Sequence, residues 1–362
     1  MNVTLFGAPL SLYSGKARAY LDWKDIPYEE KLPADARFQK EIVPAIGRQV
    51  IPVVETSDGT LLQDTTIIID HFEAERGGPS IYPDMPRQRL AALLLETFGD
   101  EWLVIPAMHY RWHYNEEWVY SEFGKAAMPY ATPQEQYEVG KKRGTMFKGF
   151  VPMLGINAET IPAVEQSYEA LLADLDAHFA AHPFLFGTRP SIGDYGLIGP
   201  LYAHNYRDPK SGEMMRRMAP NVAKWVERMI DPEPLSGDFL PNDEVPKGVI
   251  KILSRMMTEH VPYLAKVAAM LGNWAKANPE SELPRALEMT EFTVEGVTSQ
   301  RAALPFGLWM LQRGLDYLAS MEGEERASCE AMLSECGGNA LLAFNMPARL
   351  VFEDFQLKLA PA

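Results

Sequence analysis

A proline at the mouth of a short apolar strand, Ile51-Pro52-Val53-Val54, restricts the fold of this chain more than any other feature. Proline cannot donate a ladder hydrogen bond, so within a sheet it is confined to strand starts, edges and bulges. An X-Pro bond is also where a cis peptide costs little. Two neighbouring stretches narrow the choice further. Leu5-Phe6-Gly7-Ala8-Pro9-Leu10-Ser11-Leu12-Tyr13-Ser14-Gly15-Lys16-Ala17-Arg18 joins a strand to a helix through a hydroxyl-rich turn. Leu62-Gln63-Asp64-Thr65-Thr66-Ile67 puts a carboxylate and a hydroxyl at a helix N-terminus, where outward N–H groups receive anions.

The spacing predicts strands at Val3–Phe6 and Tyr28–Leu32, a helix from Ser14 to Lys24, and a helix or loop over Asp35–Val43. Val53–Thr56 and Thr60–Leu62 flank Ser57-Asp58-Gly59, a hairpin signal. A helix from Thr65 to Arg76 is closed by Gly77-Gly78. This small α/β domain is expected over residues 1–78, followed by a Pro-rich linker at 79–86. Residues 87–231 read as an all-helical domain. Its helices are expected at Arg87–Tyr120, broken near Pro106, then Gln134–Lys148, Ala163–Phe179, Ser191–His204 and Met214–Met229. Asp231-Pro232-Glu233-Pro234 breaks the helical run. Residues 232–362 form an extension, mostly helical, with a hairpin near Phe292–Thr298. It is too apolar to hang free and is expected to pack on the helical domain.

Charge excludes some partners. Lys plus Arg number 34 and Asp plus Glu 49, a net charge of −15, and such a field repels phosphate backbones and anionic lipid surfaces. Neither a nucleic acid nor a membrane is expected as a partner. No apolar run approaches the ~18 residues of a spanning helix. The strand pattern begins at Val3, with no basic and apolar regions of a secretory signal before it, so a cytoplasmic protein is expected.

The three N-terminal stretches resemble the glutathione transferase superfamily, whose N-terminal domain is thioredoxin-like. A second match lies downstream. Phe184-Leu185-Phe186-Gly187-Thr188-Arg189-Pro190-Ser191-Ile192-Gly193-Asp194-Tyr195 resembles the capping signature of that family's helical domain, with Ser191 and Asp194 as an S-x-x-D capping box. The resemblance covers about residues 1–230 and leaves the extension without a known counterpart.

The resemblance implies glutathione as cofactor, its own thiol forming the new bond. A thiol of ~8.5 pKa is mostly protonated at neutral pH, and each unit of lowering needs about 1.4 kcal/mol of preferential thiolate stabilisation. Ser11 occupies the position of the superfamily's serine classes. Ser14, one turn on, and Tyr13 between them are rivals as thiolate donor. A cysteine there would do disulfide exchange, and this turn has none. Ile51 and Pro52 are expected to pair with the cysteinyl part. Asp64 and Thr65, with Gln63 beside them, match the pair that holds the γ-glutamyl end, where Glu-Ser is commoner. Arg48 and Gln49 are candidates for the glycyl carboxylate. A purely structural role for the serines and the proline is the competing account.

Met108-His109-Tyr110-Arg111-Trp112-His113-Tyr114-Asn115-Glu116-Glu117-Trp118 is the most unusual run of the helical domain. In the family the corresponding helix lines the cleft for a hydrophobic co-substrate, so Tyr110, Trp112, His113 and Tyr114 are candidates for an aromatic wall. His109 and His113 at i, i+4, with Glu116 or Glu117, form a weaker metal pattern that lacks the H-E-x-x-H order. Cys329 and Cys336 would lie ~10.5 Å apart along one helix, too far for a disulfide, and are expected as small buried side chains. The expectation is a detoxification-type transferase that activates glutathione against a small, hydrophobic, aromatic electrophile; the resemblance implies a homodimer, and whether the extension covers or replaces that interface is left open. Conjugation, reductive dehalogenation, ether cleavage and isomerisation all start from that thiolate. Two alternatives remain open: a non-catalytic glutathione- or ligand-binding protein of the same fold, and a metal-assisted enzyme on His109 and His113.

Overall fold

The first helix begins two residues earlier than the apolar spacing suggests, because Ser11 takes the cap position. In the computed structural model, which describes residues 3–233, 237–279 and 281–361, Ser11 is extended and its Oγ accepts the Ser14 N–H at 3.2 Å. That satisfies one of the donors a helix start leaves unpaired. Pro234, the last residue of the expected break, lies outside the described residues.

In chain order the N-terminal elements are β1 Val3–Phe6, α1 Leu12–Trp23, β2 Tyr28–Lys31, α2 Val43–Ile46, β3 Val53–Glu55, β4 Leu61–Gln63 and α3 Thr65–Glu75. Helices follow: α4 Pro86–Glu101, α5 Val104–Tyr114, α6 Glu116–Ala127, α7 Pro133–Lys148, α8 Ile161–Phe179, α9 Ile192–Pro200, α10 Pro209–Met218 and α11 Pro220–Ile230. The extension holds α12 Lys247–Arg255, α13 Val261–Ala277, the hairpin β5 Met289–Val294 and β6 Val297–Ala302, α14 Phe306–Ala319, α15 Gly323–Glu335, α16 Asn339–Leu342, and β7 Leu350–Glu353 with β8 Gln356–Leu359. Wide π-type turns at Leu201–Tyr206 and Met256–His260 continue α9 and α12.

The chain divides into two compact units. One comprises Met1–Ile81, Ala107–Phe150 and Leu197–Gly237; the other comprises Tyr82–Pro106, Val151–Gly196 and Asp238–Ala362.

In the first unit a four-stranded sheet runs β2-β1-β3-β4, with β1 parallel to β2 and the other pairs antiparallel. The charged sequence Tyr28-Glu29-Glu30-Lys31 blunts the β2 edge. Glu73 of α3 accepts from the Tyr20 hydroxyl at 3.0 Å and pairs with Lys24 at 2.7 Å, tying α3 to α1. Helices α6 and α7 pack backbone to backbone. A Cβ at Gly140 would fall 1.8 Å from the Tyr120 carbonyl oxygen, and one at Gly124 1.9 Å from that of Gln136. Only glycine permits so close a crossing.

The expected long helix over Arg87–Tyr120 is three helices. It breaks at Trp102-Leu103 rather than at Pro106, which sits in the first turn of α5, where a missing N–H is harmless. Pro220 divides the expected Met214–Met229 helix by starting α11. The β7–β8 hairpin was not legible, because its strands have four residues each and its turn is Asp354-Phe355, both at positive φ.

In the second unit the extension is part of the core. Helix α4 has no local side-chain cap; Asp243 accepts the Arg87 and Gln88 N–H groups instead, at 2.8 and 3.0 Å. Gly314 of α14 lies against Leu94 and Leu90, and Arg313 pairs with Glu96. The Trp102 indole donates to Glu259 at 3.1 Å, and Arg301, fully buried, lies over the rings of Trp102 and Tyr263. Asp194 accepts from the Ser191 N–H and hydroxyl, both at 2.8 Å, and from the Leu185 N–H, the carboxylate half of a capping box. Cys329 and Cys336 are free and buried, and burial pushes both thiols up to about 11. No helix among the described residues is long and apolar enough to cross a membrane.

Candidate active site

Sheet register gathers the three N-terminal motifs. Phe6 pairs with Val53, and Val53 with Gln63. The chain therefore leaves β1 towards Ser11, enters β3 from Pro52 and leaves β4 into Asp64 at one end of the sheet. The Ile51-Pro52 bond is cis, as expected. Ile51 packs against the cluster that Ala8 and Leu10 of the β1–α1 turn form with Ala126, so the proline strand lies beside the serine turn.

The two serines differ. Ser14 is fully buried, and its Oγ accepts the Ala8 N–H at 3.3 Å. Ser11 is half-buried; its Oγ accepts the Ser14 N–H, and its own proton meets no acceptor among the described residues. It sits at the positive end of α1. Tyr13 is half-buried in the first turn of that helix.

Asp64 caps α3 through an Oδ1 that accepts the Thr66 N–H at 2.8 Å. Its φ of +81° is a conformation that residues with a Cβ rarely adopt, and such strain concentrates at ligand sites. Thr65 is buried behind it. Arg48, exposed, donates to the buried Gln63 side chain, while Gln49 is exposed and further out on the loop.

The aromatic run separates into different faces. Tyr110 is buried and stacks on the exposed Tyr114 at 5.5 Å, with the buried His109 edge-on to both rings. His113 is exposed, its Nδ1 3.1 Å from that of His109. Glu116 is taken by Lys148 and Tyr120, and Glu117 by Tyr137. No group of three or more His, Cys, Asp or Glu among the described residues is arranged to hold a metal ion. Trp112 is buried and stacks on Phe123 of α6 at 6.0 Å.

Residue spacing missed two features. Phe123 and Ala126 of α6 pack with Ala8, Leu10 and Ile51. The G-x-x-x-G at Gly140 and Gly144 was the available signal, since it marks the close crossing that sets the position of α6. The second is Arg111. Its guanidinium donates to both Asp208 oxygens at 2.7 Å, to the Ala203 carbonyl at 2.6 Å and to the Leu10 carbonyl at 2.7 Å. It thus anchors the residue immediately before Ser11. Burial pushes the Asp208 carboxyl up, and Arg111 is the charge that opposes this.

Comparison with known proteins agrees with this architecture. The glutathione S-transferase N-terminal domain model matches residues 5–80, and the glutathione S-transferase C-terminal domain model matches 158–228. A search of curated proteins found no match. Among solved structures the chain is similar to FzlA from C. crescentus, at 16% identity over 69% of this chain and 98% of that one, with a TM-score of 0.39. It is similar to a glutathione S-transferase from Rhodospirillum rubrum F11, at 15% identity, 68% and 97% coverage and a TM-score of 0.41. It is also similar to the β-etherase LigF from Sphingobium sp. strain SYK-6, at 18% identity, 65% and 96% coverage and a TM-score of 0.46. Along one polypeptide and in this order, the chain carries a glutathione S-transferase N-terminal domain at 5–80 and a glutathione S-transferase C-terminal domain at 158–228.

Proposed function

We propose that this protein is a serine-type glutathione transferase in which Ser11 stabilises the thiolate. The observation that carries the proposal is the Ser11 hydroxyl: half-exposed, at the N-terminus of α1, with its proton uncommitted among the described residues. The donor set fits the tripeptide. The N-terminus of α3 with Thr65 suits an α-carboxylate, and Asp64 suits the ammonium beside it. Ile51, half-buried and next to the cis bond at Pro52, suits the cysteinyl segment. Arg48, which donates to Gln63, is the candidate for the glycyl carboxylate.

Glutathione, when bound, supplies a nucleophilic sulfur. The protein's part is to lower the proton affinity of that sulfur. A donated hydrogen bond and the α1 dipole both favour the charged form. Arg111 keeps the turn in register by holding the Leu10 carbonyl. The apolar residues Ala8, Leu10, Ile51, Phe123 and Ala126 lie beside the turn and suit a hydrophobic, aromatic electrophile.

In a complex, the glutathione sulfur is expected within hydrogen-bond reach of Ser11 Oγ, and Ser11→Ala should raise the pKa of the bound thiol, read from thiolate absorbance. Calorimetry that finds no binding at millimolar glutathione rejects the proposal. A sulfur nearer Ser14 or Tyr13 moves the assignment to that residue.

Asp64→Ala is expected to weaken glutathione binding by about 1–3 kcal/mol, the usual loss for a hydrogen bond to a charged group. Calorimetry on the folded variant checks this, and unchanged affinity removes Asp64 from the site.

A further inference from the structure

The apolar cluster at the Ser11 turn does not end there. Phe123, half-buried, belongs to it, and Phe147 of α7 lies 5.0 Å from Phe123, ring centre to ring centre. Phe150 follows at 6.3 Å from Phe147. The outer two rings are 41% and 48% exposed. Each step is an ordinary aromatic pairing distance. The result is a ladder of rings leading outward from the serine turn, with Trp112 stacked behind its first rung.

A charge stands beside its second rung. Arg143 is one helical turn before Phe147, at i, i+4, so the two side chains share a face of α7. Arg143 and its neighbour Lys142 are exposed, and neither takes part in an ion pair among the described residues. The carboxylates of the facing helix are already engaged: Glu116 by Lys148, Glu117 by Tyr137. Unpaired cations next to exposed rings stand out in a chain of net charge −15.

We propose that the co-substrate is an extended aromatic acid, its rings lying along Phe123, Phe147 and Phe150 and its anionic group pairing with Arg143. This rests on the assignment of Ser11 as the thiolate site. The aromatic body turns its reactive carbon towards Ser11, and the anion stays at the solvent end. Arg suits this role because its planar fork binds a carboxylate or sulfonate through two hydrogen bonds and also lies well beside an aromatic face.

Two fluorescent probes test it with the full chain: 8-anilinonaphthalene-1-sulfonate, and N-phenyl-1-naphthylamine, which lacks only the sulfonate. The sulfonate probe is expected to bind about tenfold more tightly, the size of one charge-assisted contact. Arg143→Gln should abolish that preference and leave the uncharged probe unaffected. Phe147→Ala should weaken both probes, and Phe150→Ala, at the more exposed ring, serves if the first variant folds poorly. Equal affinity of the native protein for the two probes overturns the proposal, as does a preference that survives Arg143→Gln. Neither titration needs glutathione, so a failure of glutathione to bind, measured separately by calorimetry, is recognised as a failure of the transferase reading itself.

Discussion

A chain ended after Asp231 is expected to collect in the insoluble fraction. The reason is the way the second unit is built. Removing the extension takes away Asp243, the residue that caps α4 from 156 positions away. It also takes away the α14 face against Leu90 and Leu94, and the partner of Glu96, which is left buried without Arg313. Glu259 and His260 leave the side of Trp102. Each large apolar side chain so exposed forfeits about 1.5–3 kcal/mol, and a domain is stable by only about 5–15 kcal/mol in total. Expression of the truncated chain with solubility and circular dichroism checks this. A soluble, cooperatively folded product would show that the α4 and α8 segment is stable without the extension, and the packing argument would be wrong.

Arg111→Met is expected to destabilise the protein by about 3–5 kcal/mol, the cost of leaving one member of a buried ion pair uncompensated. The Arg111 and Asp208 side chains are 3% and 0% exposed, so water cannot replace the lost partner. The Leu10 and Ala203 carbonyls lose their donor in the same substitution. Urea denaturation gives the magnitude. Lys141→Met, a change at an exposed lysine of α7, is the control and should stay within about 0.5 kcal/mol. A loss under about 1 kcal/mol at Arg111 would mean that solvent reaches Asp208 and that the pair does not hold the turn.

Arg111 also illustrates how reading by spacing loses a residue. Within Tyr110-Arg111-Trp112 it sits among candidate wall residues, and charge on an aromatic helix reads as a solvated face. Its partners are Leu10, Ala203 and Asp208, all more than 90 positions away. Nothing local distinguishes an arginine that points into such a site from one that points into water. Trp112 is placed by the same long-range packing. It is two positions from Tyr110 and Tyr114, so a helix turns it to a different face, where Phe123 and Gly144 meet it.

What the sequence by itself determined is the set of short-range devices. The cis peptide before Pro52, the caps at Ser11, Asp64 and Asp194, and the turn at Asp58-Gly59 all depend on residues a few positions apart, and each was legible there. Tertiary structure alone decided which side chains meet across the chain. Phe123 stands beside Ala8 and Leu10 because glycines at 124 and 140 let two helix backbones touch. Asp243 caps α4 because the extension folds back over it. Local patterns set the conformation of a segment and the face it buries. The angle at which two segments cross depends on the shape of both surfaces at once, and that information is held jointly by residues a hundred or more positions apart.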